Sequence, residues 1–385
     1  MSFTLEEIRA RGHPVWAEVD LEAIRHNIRT LAGLAGQAEL MGVVKGYAYG
    51  HGNPESAAAM IDAGATRLGV ARVAEALHLR EAGIKAPIHV FSEPPLEAAS
   101  RFVEQDLTAT VYTEVFARAL SEAAQEEGRR ASVHVKIDTG MHRVGVPADD
   151  VPDAMRALVA LPGIEIEGAW SHLAVADVAD HPFTRKQMDL FLDILGKIEA
   201  AGIDLRYRHI ANSAATINLP DAHLDLVRCG VASYGLWPGR DLAGAVDLHP
   251  ALALRARVSM VKTVPAGEAL SYGLNYSLKE AARVITVGGG YADGYDRRLS
   301  GRADILLRGS RHRVSGTVCM DQFMVDVGSI DVEPGEVVTM IGSDGDDAIR
   351  AEDLADLIGT INYEVTARVP SRVPRVFLGS LGIDG

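Results

Sequence analysis

The sequence predicts an α/β protein: an N-terminal (β/α)8 TIM-like barrel joined to a C-terminal β-rich domain. Three observations carry that expectation. The chain has 385 residues, more than the roughly 250 to 300 at which a single core stops growing, so two domains are expected. Between residues 13 and 245 short apolar runs alternate with helical patterns, as when parallel strands are joined by crossover helices. Near His249-Pro250 the texture changes to a two-residue alternation.

Within 13–245 the candidate strands include LMGVVK, RLGVA, PIHVF, LTATV, SVHVKID and IEIEGAWSH. Asp20 can cap a helix with Leu21, Ile24, Ile28 and Leu31 on one face. Met188, Phe191, Leu195 and Ile198 repeat in the same way before Gly202, a residue suited to ending a helix. So many repeated units suit a barrel, although pattern alone leaves a doubly wound sheet open. In the second domain, 246–385, Leu252, Leu254, Ala256, Val258 and Met260 alternate with Arg255, Arg257 and Ser259, which marks a strand with one buried face. ARVITVGGG, RHRVSGTVCMDQFMVDVG and EVVTMIG add β-rich pieces, with one short helix around AEDLADLIG. Residues 1–20 are candidates to pack on this domain.

Composition excludes several classes. Thirty-eight Lys and Arg against 52 Asp and Glu leave a formal charge of -14, a poor match for nucleic acid. An anionic ligand must therefore be held by local groups. The start, MSFTLEEIRARGHPVW, carries charges throughout and no later run approaches a membrane span, so neither a signal peptide nor a membrane partner is expected, and the location is read as cytoplasmic. Cys229 and Cys319 are then expected as free thiols. No HExxH or CxxC spacing occurs, and no catalytic metal is expected. VGGGYADG follows a strand in the β-rich domain, which argues against a dinucleotide loop.

The stretch VVKGYAYGHG, residues 43–52, places a lysine where a barrel strand ends and its loop begins, the rim at which barrel enzymes keep reactive groups. A lysine used as a nucleophile must be desolvated or set among cations, so that its pKa falls from about 10.4. Gly46, Gly50 and Gly52 permit close approach of backbone and ligand, and Tyr49 offers a hydroxyl.

This segment resembles the cofactor-lysine signature of alanine racemases, which bind pyridoxal 5'-phosphate (PLP). The resemblance continues through KIDTGMHRVG, SHLAVAD, HIANSAA, VRCGVASYG, SYGLNY, GYADGYDRRL, VCMDQ, INYE and RVPRV, covering nearly the whole chain in family order. Departures are Gly46 and Tyr47, where Ala then Asn or Asp is usual, Leu173 for phenylalanine and Asn275 for threonine.

The resemblance implies that Lys45 carries PLP through its amine and serves as one catalytic base. It implies that Tyr272, from the partner of a head-to-tail homodimer, is the other base, with His172 contacting it. Arg228 would face the PLP ring nitrogen. Tyr49, Ser213, Tyr363 and the N–H groups of Gly230 and Val231 would hold the phosphate. Arg143 and Met320 would bind the substrate, and Asp177, Tyr291 and Arg297 would line its corridor. In some members the lysine matching Lys136 is carbamylated. The implied activity is interconversion of L- and D-alanine, the D form being a precursor of cell-wall peptidoglycan. A racemase of other or broader range, a PLP decarboxylase and a non-catalytic PLP carrier are the alternatives. The SYG motif at 271–273 argues against the decarboxylase, and residues 246–385 against the carrier.

Overall fold

The computed structural model describes residues 3–380. They divide into two compact units, one of 24–48 and 53–249, the other of 3–23, 49–52 and 250–380. Strand β1 (Val15–Asp20) belongs to the second unit because its ladder partners lie beyond residue 250. Residues up to 23 thus group with the second unit, as the reading of 1–20 as candidates to pack there allows, and the first unit starts at residue 24. It ends at residue 249 rather than 245.

In the first unit, β2 (Glu39–Val43), β3 (Arg67–Val70), β4 (Ile88–Val90), β5 (Leu107–Val111), β6 (Ala131–Asp138) with the short β7 (Val146–Pro147) beside it, β8 (Ile164–Trp170), β9 (Tyr207–His209) and β10 (Leu226–Cys229) form a parallel sheet. Its order is β10-β2-β3-β4-β5-β6-β8-β9. The last of these strands in the chain pairs with the first, Leu226 beside Glu39 and Cys229 beside Gly42, which leaves β9 and β10 as the two ends of the path. At the β9–β10 seam the Asp225 N–H donates to the Arg208 carbonyl at 3.2 Å and the Arg228 N–H to that of Ala211 at 3.1 Å. The barrel is thus nearly closed.

The helix Leu21–Ala35 starts where expected, for Asp20 Oδ1 accepts the N–H groups of Glu22 and Ala23 at 2.9 and 3.1 Å. Ile24, Ile28 and Leu31 are fully buried. Helix Pro182–Ala200 buries Met188, Phe191, Leu195 and Ile198.

The second unit is built on β11 (Leu252–Val264), followed by the small hairpin of β12 (Ala269–Leu270) and β13 (Tyr276–Ser277). Then come β14 (Ala282–Val287), β15 (Asp304–Leu307), β16 (Ser310–Arg313), β17 (Phe323–Gly328), β18 (Val337–Asp344), β19 (Asp347–Ile349) and β20 (Arg375–Leu378). The main path is β16-β15-β18-β11-β1-β20, with β14 joining β11 to β17. The inward alternation of β11 holds through Val258, but Met260 is 52% exposed. A register shift between those residues turns the strand, so the expected burial of Met260 fails. Two helices, Ala351–Ile358 and Asn362–Ala367, occupy the region where one was expected. Both cysteines are free, and among the described residues no helix is long and apolar enough to cross a membrane.

Candidate active site

Lys45 lies two residues beyond β2 and opens a left-handed turn. Gly46, Tyr47, Ala48 and Tyr49 have φ of 63°, 55°, 54° and 52°, and the Ala48 N–H donates to the Val44 carbonyl at 3.0 Å. For residues with a Cβ this conformation costs about 1 to 2 kcal/mol each. Gly46 adopts it freely while Tyr47, Ala48 and Tyr49 carry the strain, which is thereby concentrated beside the lysine. Glu75, in the first turn of the helix Val73–Glu81 that follows β3, pins the turn. Its Oε1 accepts the Gly46 N–H at 2.6 Å and its Oε2 those of Ala71 and Arg72 at 2.8 and 3.0 Å. Burial, with help from Arg143 and Arg228 and against the pull of Glu75, lowers the Lys45 pKa from its ordinary value.

Lys136 stands on β6 two residues beyond His134, so the pleat places both on one face of the strand. Lys136 is 2% exposed, donates to the Ile137 carbonyl at 2.7 Å and lies 5.1 Å from the Trp170 ring centroid. Burial, then Arg228, brings its pKa down to about 7. Arg143 is exposed in the loop that follows β6. Asp138 shapes that loop by accepting the N–H groups of Gly140 and His142 at 2.9 and 3.1 Å.

Arg228, on β10, is buried and donates to the carbonyls of Ser171 and Ile210 at 2.9 and 3.1 Å, to His209 Nδ1 at 3.0 Å and to His172 Nδ1 at 3.1 Å. A guanidinium only donates, so both Nδ1 atoms carry lone pairs and both rings keep their proton on Nε2. His209 Nε2–H therefore donates to His134 Nδ1 at 2.7 Å, and His134 Nε2–H donates to Glu167 Oε2 at 3.0 Å. Glu167 Oε1 accepts from Arg67 at 3.1 Å. Every proton in the chain points from Arg228 towards one carboxylate. Burial holds His134, His172 and His209 below the ordinary imidazole pKa, as neutral rings require. The His134 and Arg67 contacts outweigh burial at Glu167 and hold its pKa at about 2.

Ser213 Oγ accepts the N–H groups of Gly230 and Ala232 at 2.8 and 3.4 Å, while Val231 opens the short 3-10 helix Val231–Tyr234. Asp177 is exposed, and its carbonyl would lie 2.7 Å from a Cβ at Gly239, so a side chain at 239 has no room there. The barrel unit thus gathers Lys45, Lys136, Arg143, His172 and Arg228 into one set, in which the arginines lower the pKa of both lysines and all four cations bear on His172.

The remaining expected site residues lie in the second unit. The Tyr49 and Tyr363 rings are 6.1 Å apart there. Tyr272 occupies a short turn between Ser271 and Gly273, whose φ values are 64° and 78°, and its carbonyl accepts from Thr317 Oγ1 at 2.7 Å. The Tyr291 N–H donates to the Cys319 carbonyl at 3.1 Å and the Ala292 N–H to that of Met320 at 3.0 Å, joining two loops. Arg297 is exposed on a 3-10 turn, Arg297–Leu299.

Sequence reasoning assigned no role to Arg67, Glu75, His134, Glu167 or His209. A signal was present for His134 and His209, polar residues inside otherwise apolar barrel strands. Gly168 makes room for them, since a Cβ there would come within 3.1 Å of His134 Nδ1. The structure also brings His89 to His134 and His209, with one ring nitrogen of each within 4.8 Å of the others. His134 and His209 spend nitrogens on each other and His89 Nε2 meets Thr110 Oγ1 at 2.8 Å.

Two family models match the chain: the alanine racemase N-terminal domain over residues 19–238 and the C-terminal domain over 251–377. The chain belongs to the alanine racemase family. An alanine racemase of Carboxydothermus hydrogenoformans is 44% identical over 367 residues, covering 95% of this chain and 100% of that relative. The crystal structure of alanine racemase from D-cycloserine producing Streptomyces lavendulae superposes with a TM-score of 0.91 at 41% identity, over 95% of this chain and 97% of that one. A histidine racemase from Leuconostoc mesenteroides shares the fold at 28% identity, with a TM-score of 0.88 over 95% and 98% of the two chains. Alanine racemases are isomerases, and membership places this chain among them.

Proposed function

We propose that the chain interconverts L- and D-alanine with PLP as cofactor, as a cytoplasmic homodimer. The observation that supports this most is the set Lys45, Lys136, Arg143, His172 and Arg228. It combines a half-buried amine whose pKa is lowered with a buried guanidinium whose direct partners are carbonyls and neutral rings. A dianionic cofactor that needs an amine handle fits such a set. Lys45, His172, Ser213, Arg228, Gly230 and Val231 would hold it. When bound, PLP supplies an electron-withdrawing ring that acidifies the α C–H of an amino acid.

The rest of the work falls to the chain. Lys45 Nζ, its pKa lowered by burial, takes the α-proton from one face. Arg143 holds the substrate carboxylate. Arg228 has no proton to surrender at neutral pH, so a ring nitrogen facing it stays unprotonated. His172 keeps its proton on Nε2, available as a donor that favours a phenolate.

A base for the second face is assigned to Tyr272 of a second copy. Tyr272, Leu274, Met320 and Tyr291 are 72%, 67%, 53% and 42% exposed, and their loops are hydrogen-bonded into one surface. A patch of this kind on one chain fits a subunit contact.

The likeness to a histidine racemase keeps a second amino acid in view, since the fold does not choose the substrate. The test supplies the PLP-loaded protein with single L-amino acids and follows D-enantiomers by chiral chromatography. D-alanine should form fastest. Faster turnover of another amino acid, or release of carbon dioxide, would overturn the reading.

A further inference from the structure

A cavity of about 350 Å³ opens at the other mouth of the barrel, where the strands begin. Glu39, Arg67, Leu107, Ala131 and Tyr207, the first residues of β2, β3, β5, β6 and β9, lie in its wall. Its volume falls in the range of small-molecule sites, roughly 300 to 1,000 Å³. Barrel enzymes keep catalysis at the opposite rim, so this mouth is ordinarily structural.

The charge of the lining runs against that of the chain. Arg67, Lys85, Arg129, Arg130 and Arg206 face three carboxylates, Glu39, Asp106 and Glu167, an excess of positive charge in a chain of formal charge -14. The carboxylates are already engaged. Asp106 pairs with Arg129 and Glu167 with Arg67, both at 3.1 Å, while Glu39 accepts from Thr66 Oγ1 at 2.7 Å and the Tyr207 hydroxyl at 3.2 Å. Lys85 and Arg206 are exposed and form no ion pair among the described residues. Arg130 donates to the Ile164 carbonyl at 2.6 Å, which leaves its charge unmatched by a carboxylate. Behind them Arg67, 3% exposed and lying 4.0 Å over the Tyr207 ring, has Nε and Nη1 without a partner among the described residues. Uncompensated cations around a concave surface focus a positive potential into it.

We propose that this cavity is a binding site for a small dianionic metabolite, its phosphoryl or paired carboxylate groups held by Lys85, Arg130 and Arg206 with Arg67 reinforcing the field. Glu167, paired with Arg67, is in the wall of this cavity, which lies outside the catalytic set.

Isothermal titration of the PLP-loaded protein with inorganic phosphate, glycerol phosphate and malonate tests it. At least one should bind saturably, once per chain, and more weakly as salt rises. The preferred probe tells a phosphoryl ligand from a dicarboxylate. Affinity should fall at least tenfold in Lys85→Glu/Arg206→Glu, and by a smaller factor in Lys85→Ala/Arg206→Ala, which keeps the test open if charge reversal impairs folding. No saturation at concentrations on the order of 10 mM, unchanged affinity in folded variants, or competition with alanine would each overturn the proposal.

Discussion

Arg228 Nη1 donates to His209 Nδ1 at 3.0 Å, and this contact fixes the proton of every ring behind it. The positive charge of Arg228 is thereby answered by Glu167, three hydrogen bonds away, rather than by a carboxylate in contact. A carboxylate touching Arg228 would occupy donors that an incoming acceptor needs.

Glu167→Gln should lower stability at pH 7 by about 3 kcal/mol, the equivalent of moving a carboxylate from 4.5 to about 2. The sign follows from the depressed pKa: the stabilisation is present above about 4.5 and disappears as pH falls through about 2. Urea unfolding should show the gap between wild type and variant closing across that window. A gap independent of pH would mean that the carboxylate charge contributes nothing.

Borohydride reduction of the PLP-loaded protein should fix the cofactor to Lys45, as peptide mapping would reveal. Lys45→Met should lose that label and slow racemisation by at least about 100-fold. Label on another lysine would remove Lys45 from its role.

Tyr272→Phe should retain bound cofactor, seen by its absorbance, and slow turnover on the order of 100 to 10,000-fold. If Tyr272 acts from a second copy, mixing Tyr272→Phe with Lys45→Met chains should restore part of the activity in the hybrid dimer. Full activity in a demonstrated monomer would contradict the shared site.

Lys136, with its pKa near 7, keeps a large neutral fraction at neutral pH. Its amine should add to carbon dioxide, losing a proton and forming a carbamate whose charge lies among Arg143 and Arg228. Labelled bicarbonate should give a carbamate signal by NMR in the native protein and none in Lys136→Met. A native spectrum without it would leave the buried cation as the resting state.

The sequence by itself determined the two-part architecture, the free thiols and the rim position of Lys45, because hydrophobic period, composition and strand ends are local properties of the chain. It also held the run of motifs by which the family is known. It anticipated that residues 1–20 would join the second domain, where β1 pairs with strands beyond residue 250, but it misjudged Met260, which a register shift in β11 turns outward. Only the tertiary structure decided how Arg228 is balanced. His134 lies 33 residues from Glu167 and 75 from His209, and no periodicity links them. Barrel closure turns the polar faces of separate strands inward, where each buried donor must find an acceptor, and that requirement sets the proton order from Arg228 to Glu167.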